Sequence, residues 1–175
     1  MKKVYKITVK QLSAMHINGG TAADGKRIIT KYDGQAYIPA TLLKGVFRGN
    51  FAMLVNTLGI DKKICGEFFG DGGFQKSRVI LDNLLTKQKT VTETRTNVSI
   101  SRYTRKSANE MLVTSEVQSP FDVERKPVQY SGEMTVYYSE ENLKYEKLLF
   151  KALQMINAVG SGKSRGLGFV EVTVD

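Results

Sequence analysis

Apolar and polar residues alternate near the start of the chain, where Tyr5, Ile7 and Val9 are interleaved with Lys6, Thr8 and Lys10. A period of two turns one set toward a core and the other toward solvent, so this segment predicts a half-buried strand. Glycine-rich His16-Ile-Asn-Gly-Gly20 then breaks regular structure. Beyond Tyr37-Ile-Pro39 the period changes. Leu43, Phe47, Phe51, Leu54 and Leu58 recur at three- and four-residue steps, which predicts a helix with Thr41 as N-cap and Gly59 as its stop. Gly45 and Gly49 weaken helix propensity there and imply close approach by another backbone.

Farther on, residues 66–74 are rich in glycine and read as a loop, and Ser77–Asp82 as a strand. Residues 86–120 have no sustained apolar period, which predicts an extended arm or hairpin. Gln129–Tyr138 is a strand with Met134, Val136 and Tyr138 on one side. A second amphipathic helix follows, carrying Tyr145, Leu148, Leu149, Ala152 and Ile156 on one face and Glu140 and Glu141 in its first turn. Phe169–Val174 alternates again as a closing strand. The order is strand, helix, strand, arm, strand, helix, strand. It is the split βαβ pattern of ferredoxin-like and RNA-recognition folds, an α+β class. At 175 residues the chain suits one core rather than two. The expected organisation is a single domain over residues 1–175 with an insertion at about 86–127.

Charge narrows the partner. Lysines and arginines number 26 against 17 acids, a formal net charge of +9, which favours a polyanion. The excess is segregated. The first 48 residues hold nine lysines and arginines against Asp24 and Asp33, and residues 86–106 hold six against Glu93, whereas residues 130–149 are acidic. No apolar stretch approaches the ~20 residues of a membrane span, and neither a secretory nor a lipidation signal is expected. Cys65 is the single cysteine and His16 the single histidine. One thiol fits a reducing cytoplasm and forms no internal disulfide, and a Cys/His zinc site would need more ligands. Any metal here would be held by oxygen.

Gly160-Ser-Gly-Lys-Ser-Arg-Gly-Leu-Gly168 imitates a P-loop, because Gly162-Lys163-Ser164 ends like one. The first glycine of that motif is replaced by Asn157, and the loop follows a helix and opens a strand, the reverse of a P-loop. Its glycines can instead converge backbone N–H groups on an anion, with Lys163 and Arg165 adding charge, or form a tight turn packed on protein.

Together these segments resemble the RAMP superfamily of CRISPR-associated proteins, and most of all the repeated backbone subunit of type III RNA-guided effector complexes. His16-Ile-Asn-Gly-Gly20 resembles the family's opening His-Ile-Gly-Gly. Tyr37-Ile-Pro-Ala-Thr-Leu-Leu-Lys-Gly-Val-Phe-Arg48 is similar to its Tyr-Ile-Pro-Gly-Ser-Ser-Leu-Lys-Gly-x-x-Arg. Thr96–Thr104, running on to Glu116-Val117, resembles its Asn-x-Ile-Asp-Arg-x-Thr-Gly arm, and Gly160–Gly168 its C-terminal glycine signature. Ala40, Leu42, Ser101 and Arg105-Lys106 depart from those patterns.

Lys44 and Arg48, four apart on one helix face, suit either consecutive phosphates or a solvated face. The resemblance favours phosphates. The arm's Arg95, Asn97, Ser99, Arg102, Thr104, Arg105 and Lys106, with Tyr103, can hold backbone and lie against bases without selecting sequence. Arg78 is a further candidate. So are Gly160, Gly162, Lys163, Ser164, Arg165 and Gly166 of the loop. The resemblance implies that the arm is a thumb crossing a guide–target duplex, and that partners include guide RNA, target RNA, further copies or paralogues and other type III effector subunits. It also implies that Asp24, fifteen residues before Pro39, is needed for cutting target RNA, with a divalent metal (Mg or Mn) as cofactor. A carboxylate there could bind the ion or help activate a ribose 2′-OH, whereas Asp24-Gly25 and Asp33-Gly34 are also ordinary turn pairs. Two alternatives stay open at this point: a non-catalytic RNA-binding subunit or filament cap, and a guide-processing endoribonuclease using His16.

Overall fold

The computed structural model describes residues 1–73 and 75–175, with the side chains of 99 and 107–111 outside that set. The candidate contact of the Ser99 side chain therefore lies outside the described residues. Ten strands and three α-helices are present among them, and no helix is long and apolar enough to cross a membrane.

The first strand, β1 (Lys2–Gln11), buries Ile7 and Val9 on the side that alternation predicts. It sits at the centre of an antiparallel sheet ordered β10-β1-β9-β6, with β6 at Val79–Leu81, β9 at Gln129–Tyr137 and β10 at Val170–Val174. Register is fixed by burial: Val9 faces Tyr130 on one side and Val172 on the other, and all three are core residues.

Helix α1 (Ala40–Thr57) buries Leu43, Phe47, Phe51 and Val55 in one core with this sheet. Helix α3 (Glu146–Gln154) adds Leu149, Ala152 and Leu153. Burying each such aliphatic or phenyl group contributes about 1.5–3 kcal/mol.

Several expectations are corrected. Thr41 is not the N-cap; the helix starts at Ala40, whose N–H is taken by Asn83 Oδ1 at 2.9 Å, so a distant loop supplies the cap. Leu58 is 60% exposed, and Val55 takes its place in the core. Gly45 and Gly49 meet no protein backbone, since a Cβ at either would have nothing within 4 Å. Residues 66–69 are not loop but part of helix α2 (Lys63–Phe69). Phe69 lies 4.8 Å edge-on to Phe47 and Phe68 lies 5.6 Å from Phe51, so tertiary aromatic packing overrides the weak local signal. Glu140 and Glu141 precede α3 and the 3₁₀ turn at Leu143–Tyr145 rather than opening the helix.

The segment after β1 is not free of regular structure either. Strands β2 (Asn18–Thr21) and β3 (Arg27–Ile29) pair, and β4 (Lys31–Tyr32) pairs with β5 (Gln35–Ala36). The arm is an antiparallel hairpin of β7 (Thr90–Ile100) and β8 (Ser107–Asp122), joined to the short strands in a second sheet ordered β2-β3-β8-β7. Its base is tied down: Gln88 Nε2 donates to Asp122 Oδ2 at 2.7 Å, and Gln35 Oε1 accepts from the Thr90 N–H at 3.1 Å.

Candidate nucleic-acid interface

Residues 14–17 join the two halves of the interface. Met15 exchanges backbone hydrogen bonds with Gln118 of β8 (2.9 and 2.7 Å), and the next residue, His16, accepts from the Ser161 N–H at 2.9 Å. One short segment therefore fastens both the hairpin and the glycine loop.

The loop packs on protein and presents charge at once. Gly168 donates to the Ala14 carbonyl at 2.7 Å, and a Cβ on Gly168 would sit 1.9 Å from Val159 O, so no side chain fits. Gly160 is equally constrained, its virtual Cβ lying 2.4 Å from His16 O. Between Gly162 and Gly166, both in left-handed backbone, a single 3₁₀ turn carries Lys163, Ser164 and Arg165 into solvent.

Facing this loop, three strands align their side chains. Ser115 of β8 pairs with Arg27 of β3 on one side and Arg95 of β7 on the other, so Arg27, Ser115 and Arg95 form one row across the second sheet. The period of two puts Asn97 on the same face as Arg95. The result is a cleft of about 550 Å³ lined by Arg27, Arg95, Asn97, Ser161, Ser164 and Arg165, with Gly162 and His16 at its wall. Three guanidiniums with hydroxyl and amide groups form a polyvalent donor surface suited to phosphate oxygens. The cleft takes Arg95, Asn97, Gly162, Ser164 and Arg165 from the predicted set. It does not take Arg102, Thr104, Arg105 or Lys106, which are exposed at the hairpin tip beside the 99%-exposed Tyr103. Arg27 was not singled out by the sequence beyond its charge, although alternation of Arg27 with buried Ile29 marks it as strand-borne.

Lys44 and Arg48 lie elsewhere. Lys44 Nζ donates to Ser77 Oγ at 2.7 Å, next in sequence to half-exposed Arg78. Partial burial, and secondarily the charge of Arg48, push the Lys44 ammonium below its usual range. Arg48 is exposed on the side of α1 where Gly45 and Gly49 leave open space. The cations thus do not gather in one place: Arg27, Arg95 and Arg165 line the cleft, Arg102, Arg105 and Lys106 sit at the hairpin tip, and Lys44 is not a wall of the cleft.

Asp24 is exposed in the β2–β3 turn, and its Oδ1 accepts from the Lys26 N–H at 3.0 Å. The turn is held by Glu116 of β8, whose carboxylate lies 3.4 Å from Lys26 Nζ and 3.8 Å from Lys31 Nζ and accepts from the Ile29 N–H. No cluster of three His, Cys, Asp or Glu able to hold a metal occurs among the described residues. Asp24 alone offers one carboxylate edge, which could hold a hydrated divalent ion at one position but is not a closed protein cage. Asp33 occupies the β4–β5 turn in left-handed backbone (φ 48°).

The model of the RAMP superfamily matches residues 8–171. The chain belongs to the RAMP superfamily. A chain of the Type III-B Cmr-beta complex bound to cognate target RNA, solved by cryo-EM, is similar to this RAMP protein with a TM-score of 0.77 at 8% identity, over 98% of this chain and 97% of that one. No curated protein matches its sequence.

Proposed function

We propose that this RAMP protein is a guide-RNA-binding backbone subunit of a type III CRISPR effector complex, which holds a guide–target duplex and cleaves target RNA. The observation that carries the reading is the cleft in which Arg27, Arg95 and Arg165 meet from three separate stretches of chain. Membership of the RAMP superfamily and the likeness to a subunit of an RNA-bound complex support it. On this reading the sheet β10-β1-β9-β6 with α1 and α3 is a modified ferredoxin-like core and β7–β8 is a thumb-like insertion. Arg102, Tyr103, Thr104 and Arg105 at its exposed tip reach over the duplex. Lys163 and the Lys44, Arg48 and Arg78 group guide the strand beyond the cleft. Sequence selection falls to base pairing, while the protein holds backbone and shape.

Asp24 is the residue assigned to cutting. A ribose 2′-hydroxyl gives its proton to water as its oxygen attacks the adjacent phosphorus, the P–O5′ bond breaks and the 5′-oxygen takes a proton from water, so the products are a 2′,3′-cyclic phosphate and a 5′-hydroxyl. Asp24 would hold one edge of a bound Mg²⁺ or Mn²⁺, which would neutralise charge on the phosphate. Lys26, through its N–H, orients the carboxylate. In assembled complex, Asp24→Ala should abolish cutting and leave RNA binding intact; undiminished cleavage would remove Asp24 from the mechanism. The solitary carboxylate favours one second reading, a non-catalytic subunit or filament cap, for which no assembled preparation would yield metal-dependent products.

A further inference from the structure

His16 has no part in the cutting step assigned above, yet its ring is placed at the wall of the cleft. It is only 5% exposed, and Nδ1 lies 2.6 Å from the backbone carbonyl of Glu116. A carbonyl can only accept, so Nδ1 carries the proton, and in the neutral ring Nε2 is then a lone pair. Nε2 has no partner among the described residues, and the ring borders the open cleft.

The surroundings make this acceptor unusual. Arg27, Arg95 and Arg165 are purely donors, and Ser161, Ser164 and Asn97 can donate as well. Phosphate and ring oxygens of a nucleic-acid backbone only accept, so they pair with these groups and have no hydrogen to offer Nε2. The one donor on a nucleic-acid backbone is the ribose 2′-hydroxyl, which DNA lacks. We infer that His16 Nε2 accepts a hydrogen bond from a ribose 2′-OH of the strand in the cleft and thereby selects RNA over DNA. The Glu116 carbonyl fixes the tautomer, and the His16–Ser161 backbone bridge fixes the ring beside the phosphate-holding loop. This rests on the RNA-binding reading of the cleft and adds to it the group that recognises ribose.

The test uses the full chain and three single-stranded probes of one sequence: RNA, 2′-fluoro RNA and DNA. The fluoro probe keeps the ribose pucker but has no donor. Wild type should bind RNA roughly five- to tenfold tighter than 2′-fluoro RNA, the range of one hydrogen bond to an otherwise unsatisfied group. His16→Ala should bind RNA at the 2′-fluoro level while its affinity for 2′-fluoro RNA is unchanged, which also shows that the variant is folded. Equal wild-type affinity for RNA and 2′-fluoro RNA overturns the inference whether or not the variant folds. A gap that persists in a folded His16→Ala overturns it too. If Arg95→Ala and Arg165→Ala leave RNA affinity untouched, the cleft itself is misassigned, a failure distinct from that of His16.

Discussion

The ammonium of Lys26 lies 3.4 Å from the Glu116 carboxylate, so the turn that carries Asp24 is tied to the second strand of the hairpin. Two parts of the interface that are ninety residues apart in sequence thus share one electrostatic fastener, and Lys31 reinforces it from the next strand.

Removing that fastener should separate cutting from binding. Glu116→Gln releases Lys26 and Lys31, so cleavage is expected to slow by about tenfold while the two freed lysines steepen the salt dependence of RNA binding by about 1.4 units, at ~0.7 per contact. Cleavage assays and a salt titration on one preparation check both. A variant that cuts at the wild-type rate would show that the turn needs no anchor.

Acid should loosen the same contact. Burial pushes the Glu116 carboxyl up, but the Ile29 N–H, Lys31 and Lys26 outweigh burial and hold it below the usual range. A carboxyl depressed in the folded state contributes stability above its unfolded pKa of about 4.3 and loses it as pH falls through the native value. Wild type should therefore lose more stability than Glu116→Gln below about pH 4. Denaturant melts of both proteins from pH 7 to pH 3 read this directly, and parallel curves would contradict it.

The cleft makes a quantitative claim on salt. If Arg27, Arg95 and Arg165 each meet a phosphate, the triple Ala variant should flatten the plot of log affinity against log salt by about 2 units, at ~0.7 per contact on a single strand. Arg48→Ala should add about 0.7 more, because Arg48 stands outside the cleft. An unchanged slope in the triple variant would return those arginines to ordinary solvation.

Gly45 and Gly49 offer a test with opposite signs. Nothing in the protein fills the space where their Cβ atoms would go, so each Gly→Ala change should stabilise α1 by about 0.8–1 kcal/mol. RNA affinity should fall if a phosphate strand approaches this face. Thermal melts and binding curves on the same proteins measure the two effects, and raised affinity would place the strand elsewhere.

Gly168 behaves otherwise. Its left-handed backbone (φ +77°) and the 1.9 Å approach to Val159 O leave Ala both strained and clashing. Gly168→Ala should cost about 2 kcal/mol or more and displace the loop from residues 14–17. Calorimetry checks the first, and loss of RNA affinity the second.

The amino-acid order alone determined the elements whose signal is local. Alternation at Tyr5–Val9, the four-residue repeat of Leu43, Phe47 and Phe51, and the polar run of the arm each constrain the backbone within a few residues, and a strand, a helix and a hairpin occur there. The glycine spacing after Val159 left open an anion-cradling loop or a tight turn packed on protein, and the structure has a turn packed on protein with Lys163 and Arg165 exposed. Tertiary structure decided what depends on partners distant in sequence. Helix α2 exists because Phe68 and Phe69 pack on Phe47 and Phe51, and α1 is capped by Asn83 from another loop. Arg27 joins Arg95 only through Ser115, and His16 becomes a fixed-tautomer acceptor only because the Glu116 carbonyl arrives from a hundred residues away. Periodicity reports which face of one element is apolar. Which faces and edges meet is set by packing and hydrogen bonding of the whole chain, and the cleft is a product of that meeting.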